Sequence, residues 1–306
     1  VEKSVIQQEI AMIDDSLEEL VYDEFFMRML PKHSLGKPIL GTAESIAKMK
    51  LSSVRNFYKQ QYTGAQLIVA LAGGVEHEEF LHAAETILKR KKSIVKSNLV
   101  SKKRVKPKAK QFRDVVEKQT EQLHLLLGIP CSSFKDSHRF EAFIVNTMLG
   151  GGMTSKLYQS IREKKGLVYS VYSSLNTFVD FGLLNIYASC EADKMKAVVK
   201  TISVEVRRIL KTGISAKELE MYKTQVVGSI VLGSDDIENR MQSIAVNEMV
   251  FECYKTVDEV IAEIQKITVE SVNKYLQETV RLSAISGLLL GGGAQDQAEW
   301  FNKFEF

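Results

Sequence analysis

The spacing of apolar residues along the chain predicts amphipathic helices interrupted by short apolar strands. Near the start, apolar side chains recur three and four positions apart, at Val5, Ile6, Ile10, Ile13, Leu17 and Leu20. Such spacing places them on one face of a helix. A second helix is expected over 138–149. Other stretches have the apolar content and alternation of strands, namely residues 122–130, 168–175 and 181–189.

A long internal repeat organises the chain. Residues 44–74 match residues 262–292 at a constant offset of 218 positions, without a gap. Matching pairs include Ile46 with Ile264, Phe57 with Tyr275, and Gly73-Gly74 with Gly291-Gly292. Each copy reads as an amphipathic helix followed by an apolar strand that stops at glycines. The repeat predicts two duplicated α+β domains, each with a mixed sheet covered by helices.

The two copies differ in length. Residues 119–218 precede the repeat in the second copy and have no counterpart in the first. If the copies are of similar size, the first domain is incomplete and roughly 100 of its residues lie upstream. The first residue is Val1 rather than Met, which agrees with a chain that begins inside a domain.

Charge marks the boundary between the copies. Residues 89–113 carry twelve Lys and Arg and no acid, which leaves 29 basic against 38 acidic residues elsewhere. A basic run can bind nucleic acid, but this one lacks interleaved aromatics apart from Phe112, and the remainder is acidic. We therefore favour an exposed linker. The predicted domains are residues 1–88, the linker 89–113, and residues 114–306.

The remaining composition restricts the class of protein. No run reaches the roughly 18 consecutive apolar residues of a membrane span. Cys131, Cys190 and Cys253 are far apart and show no metal spacing, as expected in a reducing compartment. His77 and His82 are five positions apart and so on different helix faces, and neither HExxH nor HxxEH occurs in the chain.

Two glutamates on the first helix could carry chemistry. Glu2 and Glu9 are seven positions apart, two helical turns, and therefore share a face. Glu9 borders the apolar stripe, where a carboxylate needs a partner, a metal or a raised pKa. Alternatively, Glu2 favours the helix N-terminus and Glu9 reaches into water. The repeat places Val227 at the position equivalent to Glu9, which favours an interior location.

A glycine-rich stretch precedes a second pair of candidates. Gly150, Gly151 and Gly152 follow a helix rather than a strand, and no Gly-Lys-Ser/Thr follows them, which excludes a phosphate-binding loop. Arg162 lies near the end of the next helix and Tyr169 in the following strand. Taken alone, they could equally be a solvated last-turn cation and an ordinary strand aromatic.

These segments together resemble a known family. Residues 2–26, His33-SLGKPILGTAESI and Tyr62-TGAQLIVALAGGV are similar to the back half of the catalytic domain of inverzincin peptidases. These are the pitrilysin, insulinase and mitochondrial-processing-peptidase enzymes. Leu149-GGGMTSKLYQSIREKKGLVYSVYSS resembles the hallmark segment of their second domain. The resemblance covers essentially the whole chain, in order.

The resemblance implies a zinc metalloendopeptidase that cleaves peptides or unfolded protein segments. In that family an HxxEH helix supplies two histidine ligands and a glutamate base. Glu9 would be the third zinc ligand, and Glu2 would support it. Arg162 and Tyr169 would close over the peptide and donate hydrogen bonds near its carbonyl, in an oxyanion-type role.

The same resemblance leaves alternatives open, because this chain holds only one zinc ligand. Either HxxEH lies upstream, or the protein is a non-catalytic partner or scaffold subunit. A homodimer or a related subunit is the expected partner, with no nucleic acid. The expected location is cytoplasmic, with the mitochondrial matrix or periplasm as alternatives, since any targeting region would lie upstream.

Overall fold

The structure is a computed structural model that describes residues 2–62, 67–90 and 105–306, without the side chains of residues 88–90. Its first helices are α1 (Glu2–Asp15), α2 (Leu17–Met29), α3 (Ala43–Lys48), α4 (Leu51–Gln61) and α5 (His77–Arg90). Strands β1 (Arg113–Glu117) and β2 (Leu123–Cys131) precede α6 (Arg139–Leu149), and β3 (Ser170–Thr177) and β4 (Gly182–Cys190) follow it. The remaining elements are α7 (Ala192–Thr212), α8 (Ala216–Ser234), α9 (Ile237–Phe251), α10 (Val257–Gln265), α11 (Val269–Thr279), β5 (Ser286–Gly291) and α12 (Ala294–Lys303).

The chain forms two compact units that do not follow sequence order. The larger contains Val1–Thr42, Lys106–Val227 and Ile261–Phe306, and the smaller contains Ala43–Val105 and Gly228–Val260. The domain boundaries inferred from the repeat stay a prediction. Over the described residues, no helix combines the length and the hydrophobicity needed to cross a membrane.

The larger unit is built on one five-stranded mixed sheet, in the order β1-β5-β2-β4-β3. β1 runs parallel to β5, and the other neighbours are antiparallel. β4 and β5 are buried along their whole length, since strands at these positions have neighbours on both sides. The helix-covered mixed sheet confirms the predicted α+β class.

Helices cover both faces of this sheet. On one face, α2 inserts Phe25 and Met29, which are 0% and 1% exposed, against Leu126 and Leu288. On the other face, α6, α7 and α11 approach β2 and β4 around a small apolar cavity, lined by residues such as Val145, Val206 and Leu276. Phe25 and Met29, from the beginning of the chain, thus belong to the core of the second half.

The internal repeat is visible in the element boundaries. The bounds of α4 and α11 differ by the same 218 positions as the sequence repeat. Gly73 and Gly291, which are also 218 positions apart, have φ values of 139° and 135°. Only glycine adopts this region readily, so each copy ends its apolar segment with the same backbone conformation.

The strand predicted before Gly73 in the first copy is not formed over its described residues. Residues 67–72, which the sequence predicts to be the first copy's strand, have no regular secondary structure. Its counterpart β5 is flanked by β1 and β2. The described part of the first copy has no strand that could pair with residues 67–72, so their backbone lacks a ladder. Their side chains are correspondingly exposed, with Leu67 at 49% and Leu71 at 42%.

Candidate functional site

Glu2 and Glu9 lie where the sequence predicts them, on one face of α1. Both side chains are exposed, and α1 contains no buried residue. The interior position expected for Glu9 is not seen, since Glu9 itself is exposed, and its repeat counterpart Val227 is only half-buried. Two turns separate the two carboxylates, so both remain accessible on the same side of the helix.

The beginning of α2 is fixed to the edge strand β3 by polar side chains. The Tyr172 hydroxyl donates to Glu18 Oε1 at 2.7 Å, and the Tyr22 hydroxyl donates to the Tyr172 hydroxyl at 3.5 Å. A further contact of 3.3 Å joins the Tyr22 and Ser174 hydroxyls. Burial, together with these hydrogen bonds, raises the pKa of Tyr172 far above its ordinary value. Tyr172 is therefore a neutral hydrogen-bond donor at physiological pH.

A histidine and a second tyrosine continue this polar region beneath α2. His124 Nδ1 lies 2.7 Å from the Tyr187 hydroxyl, and the Tyr187 ring stacks on Tyr172 with centroids 4.9 Å apart. Burial lowers the pKa of His124, with Glu18 opposing the effect, so the imidazole is neutral at pH 7.

An acidic cavity opens beside this network. Its volume is about 480 Å³, and its lining includes the carboxylates of Glu18, Glu19 and Asp23 together with apolar and aromatic groups. The other lining residues are Ile13, Ser16, Tyr22, Ile39, Leu40 and Tyr172. Burial raises the pKa of Asp23, and the neighbouring charges of Glu24, Glu19 and Asp14 raise it further. Three carboxylates thus line the cavity, and none of its lining residues is a lysine or an arginine.

Sequence reasoning missed this cavity. Glu19 and Asp23 are four positions apart on α2 and so face the same way, which is a detectable signal. The contribution of Tyr172 was not detectable, because it comes from a strand 150 positions away from Tyr22.

Arg162 and Tyr169 lie on either side of a turn. Arg162 belongs to a π-helical turn, Tyr158–Glu163, and its guanidinium lies 5.2 Å above the Tyr158 ring. Gly166, with φ of 58°, follows the helical segment in the left-handed conformation typical of a helix end. Tyr169 directly precedes β3, is 58% exposed, and donates to Glu191 Oε1 at 3.4 Å. Both functional groups are therefore accessible to a ligand.

Comparison with known proteins identifies the family. Residues 48–226 match the family model described as the peptidase M16 inactive domain. The chain belongs to the peptidase M16 family. M16 relatives include an uncharacterized zinc protease of Mycobacterium tuberculosis, 30% identical over 278 residues, which are 89% of this chain and 63% of the relative. Another is the uncharacterized zinc protease YmxG of Bacillus subtilis, 32% identical over 272 residues, which are 89% of this chain and 65% of YmxG.

Solved structures show the same M16 fold. A peptidase M16 inactive domain from Pseudomonas fluorescens superposes with a TM-score of 0.85 at 20% identity, covering 95% of this chain and 69% of that one. A protease from Helicobacter pylori gives a TM-score of 0.81 at 18% identity, covering 94% and 71%. A chain of complex III2 from Candida albicans gives 0.81 at 17% identity, covering 98% and 72%.

The chain covers only part of its M16 relatives, which bears on whether it can bind zinc by itself. The chain spans less than two thirds of the length of the two relatives, and the matched model describes an inactive domain. Across the residues that the structure describes, no group of three His, Cys, Asp or Glu side chains could hold a metal ion. Catalytic zinc takes three protein ligands. The described residues therefore do not bring three such ligands together.

Proposed function

We propose that this chain supplies one zinc ligand and the substrate-contacting groups of a zinc metalloendopeptidase, with the HxxEH residues located outside these 306 positions. Glu9 is the ligand, and Glu2 orients it or its neighbours from two turns away. Arg162 and Tyr169 bind the peptide. Zinc in such a site would supply an activated water.

The position of Glu9 relative to the acidic cavity carries this proposal. Ile13 lines the cavity and follows Glu9 by four positions in α1. Residues spaced in this way lie one above the other, with a rise of about 6 Å along the axis. The proposed metal ligand therefore lies one helical turn from a pocket of side-chain size. Glu9 and Glu2 are exposed, so their carboxylates are accessible to a metal and its other ligands.

The lining of the cavity indicates the substrate class. The apolar surface of Ile13, Ile39 and Leu40 suits the aliphatic stem of a long side chain. Three carboxylates suit a terminal cation. Burial raises the pKa of Asp23 most, and repulsion from Glu24, Glu19 and Asp14, which such a cation would relieve, raises it further. We therefore propose an extended peptide with an arginine or lysine side chain in this pocket.

Arg162 and Tyr169 supply hydrogen-bond donors to the same peptide. An arginine offers five N–H donors in a planar fork, and a phenol adds a neutral donor. Donors aimed at a developing negative charge on a carbonyl oxygen favour the transition state over the bound substrate. We expect their loss to lower kcat more than it raises KM.

A second function has specific support. The matched family model describes an inactive domain, and HxxEH is absent from the chain. The chain could therefore act as a non-catalytic subunit beside a related catalytic chain or a second copy of itself. The acidic cavity would then bind peptide without cleaving it.

Peptide hydrolysis by the longest native form of the protein separates these functions. Matched quenched peptides would carry arginine, lysine or norleucine at one position. We expect cleavage of the arginine and lysine peptides, and its loss in an Arg162→Ala, Tyr169→Phe double variant that retains the zinc content. A Glu19→Gln, Asp23→Asn variant should reduce the preference over norleucine. Binding of the basic peptides without cleavage, by protein that holds zinc, would support the non-catalytic subunit instead.

A further inference from the structure

The segment that carries Arg162 is attached at both ends to neighbouring helices. At its start, the Thr154 hydroxyl accepts a hydrogen bond of 2.8 Å from Gln225 Nε2 in α8. At its end, Lys165 Nζ donates to the Thr201 hydroxyl of α7 at 3.0 Å. The position of the π-helical turn thus depends on contacts outside the turn itself.

A third contact of this segment is an ion pair at the N-terminus of α8. Lys156 Nζ donates to Glu218 Oε1, and the two side chains are only 23% and 29% exposed. The other carboxylate oxygen, Oε2, accepts from the Ser215 backbone N–H at 3.0 Å and from its hydroxyl at 2.8 Å. Glu218 therefore caps α8 and holds Lys156 with the same carboxylate.

This double role fixes the charge of Glu218. Burial alone would favour the neutral acid, but the hydrogen bonds from Lys156 and Ser215 outweigh it and lower the pKa of Glu218 to about 2. The carboxylate is ionised at any pH at which a peptidase would work. The charge needed for the ion pair between this segment and α8 is therefore present at neutral pH.

Lys156 and Arg162 belong to the same helical segment. Six positions separate them, and the π-helical turn that contains Arg162 begins two residues after Lys156. Leu157 and Ile161, both 0% exposed, anchor the same segment in the core. Arg162 lies within this π-helical turn, and such turns are frequent at functional sites.

We propose that Lys156 and Glu218 are positioning residues that place the Arg162 guanidinium for the substrate carbonyl. The proposal rests on the role assigned to Arg162 under the proposed function. Neither side chain touches the peptide. A small misplacement of a group that binds the transition state has a large effect on rate, so we expect loss of the pair to lower kcat.

Steady-state kinetics of the longest native form tests the proposal with variants that separate charge from capping. In Glu218→Gln the amide can still accept from Ser215 but no longer pairs with Lys156. Lys156→Met removes the charge and keeps the aliphatic stem, whereas Lys156→Arg restores the charge. Glu205→Gln serves as a control, because it breaks a comparable pair with Arg208, at 2.6 Å, elsewhere on α7.

We expect Glu218→Gln and Lys156→Met to lower kcat by about tenfold, with KM changed less than about twofold and zinc content unchanged. Lys156→Arg and Glu205→Gln should retain the wild-type kcat. In an Arg162→Ala background, Glu218→Gln should have no further effect, because the group that it positions is absent. An unchanged kcat in Glu218→Gln, or an equal loss in both backgrounds, would overturn the proposal.

The same variants distinguish a failure of this proposal from a failure of the proposed function. If wild-type protein that holds zinc cleaves no peptide, the peptidase function fails, and the affinity for the arginine peptide replaces kcat as the readout. Weaker binding by Glu218→Gln and by Arg162→Ala, without additivity in the double variant, would still support positioning. Additive losses, or unchanged binding by Glu218→Gln, would overturn it.

Discussion

Replacement of Gly128 by alanine tests whether α2 lies on the sheet of the larger unit. A Cβ atom at Gly128 would lie 2.5 Å from Phe25 Cζ and 2.8 Å from its Cε1. The ring has little room to yield, because its centroid lies 5.0 Å from that of Phe112 and 6.4 Å from that of Phe26. Overpacking of this kind lowers the free energy of unfolding by about 1–3 kcal/mol.

Removal of the opposing ring should abolish this effect. Phe25→Ala alone should cost about 3–5 kcal/mol, the usual range for a fully buried phenylalanine. In that background Gly128→Ala meets no ring and gains about 0.5–1 kcal/mol, because alanine is favoured over glycine inside a strand. The two substitutions should therefore be non-additive by about 1.5–4 kcal/mol.

Gly287 provides a matched control in β5. Its added Cβ would lie 2.7 Å from Phe301 Cζ, a similar clash with a different aromatic ring. Urea unfolding followed by circular dichroism would give the four free energies for each cycle, at constant m-value. Gly287→Ala should be additive with Phe25→Ala. Additivity of Gly128→Ala with Phe25→Ala would refute the packing of α2 against β2.

Two other predictions concern thiols and glycines. At pH 8 a thiol reagent should modify the exposed Cys253 quickly. Burial raises the pKa of Cys190 to about 12, so Cys190 should react only after denaturation. Fast labelling of Cys190 in native protein, detected by mass spectrometry, would contradict its burial. Gly291→Ala should lower the melting temperature more than Gly73→Ala. Both glycines have positive φ, but an added Cβ at Gly291 would lie 2.3 Å from the Gln122 carbonyl oxygen, whereas at Gly73 it would meet no described atom within 4 Å. Equal shifts in melting temperature would contradict this difference.

Sequence patterns predicted the elements whose signals are local. The helix expected over 138–149 and the strands expected over 122–130, 168–175 and 181–189 agree with α6, β2, β3 and β4 to within two residues. The repeat also predicted equivalent positions for Gly73 and Gly291, which have similar φ values. Periodicity and glycine placement suffice here, because each depends on residues close together in the chain.

Features that depend on distant residues were not predictable. The contact of Phe25 with Gly128 joins two halves of the chain, and nothing in either segment specifies the other. The acidic cavity likewise needs Tyr172 beside Glu18, which are 154 positions apart. The failed prediction of a strand at 67–72 has the same origin, since a strand requires partners as well as a suitable sequence.

Family resemblance is the basis for the roles given to Glu2, Glu9, Arg162 and Tyr169. In the structure all four side chains are exposed and belong to one compact unit. Among these assignments, that of Glu9 is central, because a zinc peptidase without its third ligand would bind metal weakly. A carboxamide at this position keeps the shape of the side chain and removes its charge.

The zinc content of the longest native form tests this assignment most directly. It is measured by elemental analysis after dialysis against dilute chelator. Wild-type protein and an Asp15→Asn control, altered at the far end of α1, should each hold about one zinc per chain, whereas Glu9→Gln should hold much less. Retention of one zinc per chain by Glu9→Gln, or absence of zinc from the wild type, would contradict the proposal that Glu9 is a zinc ligand.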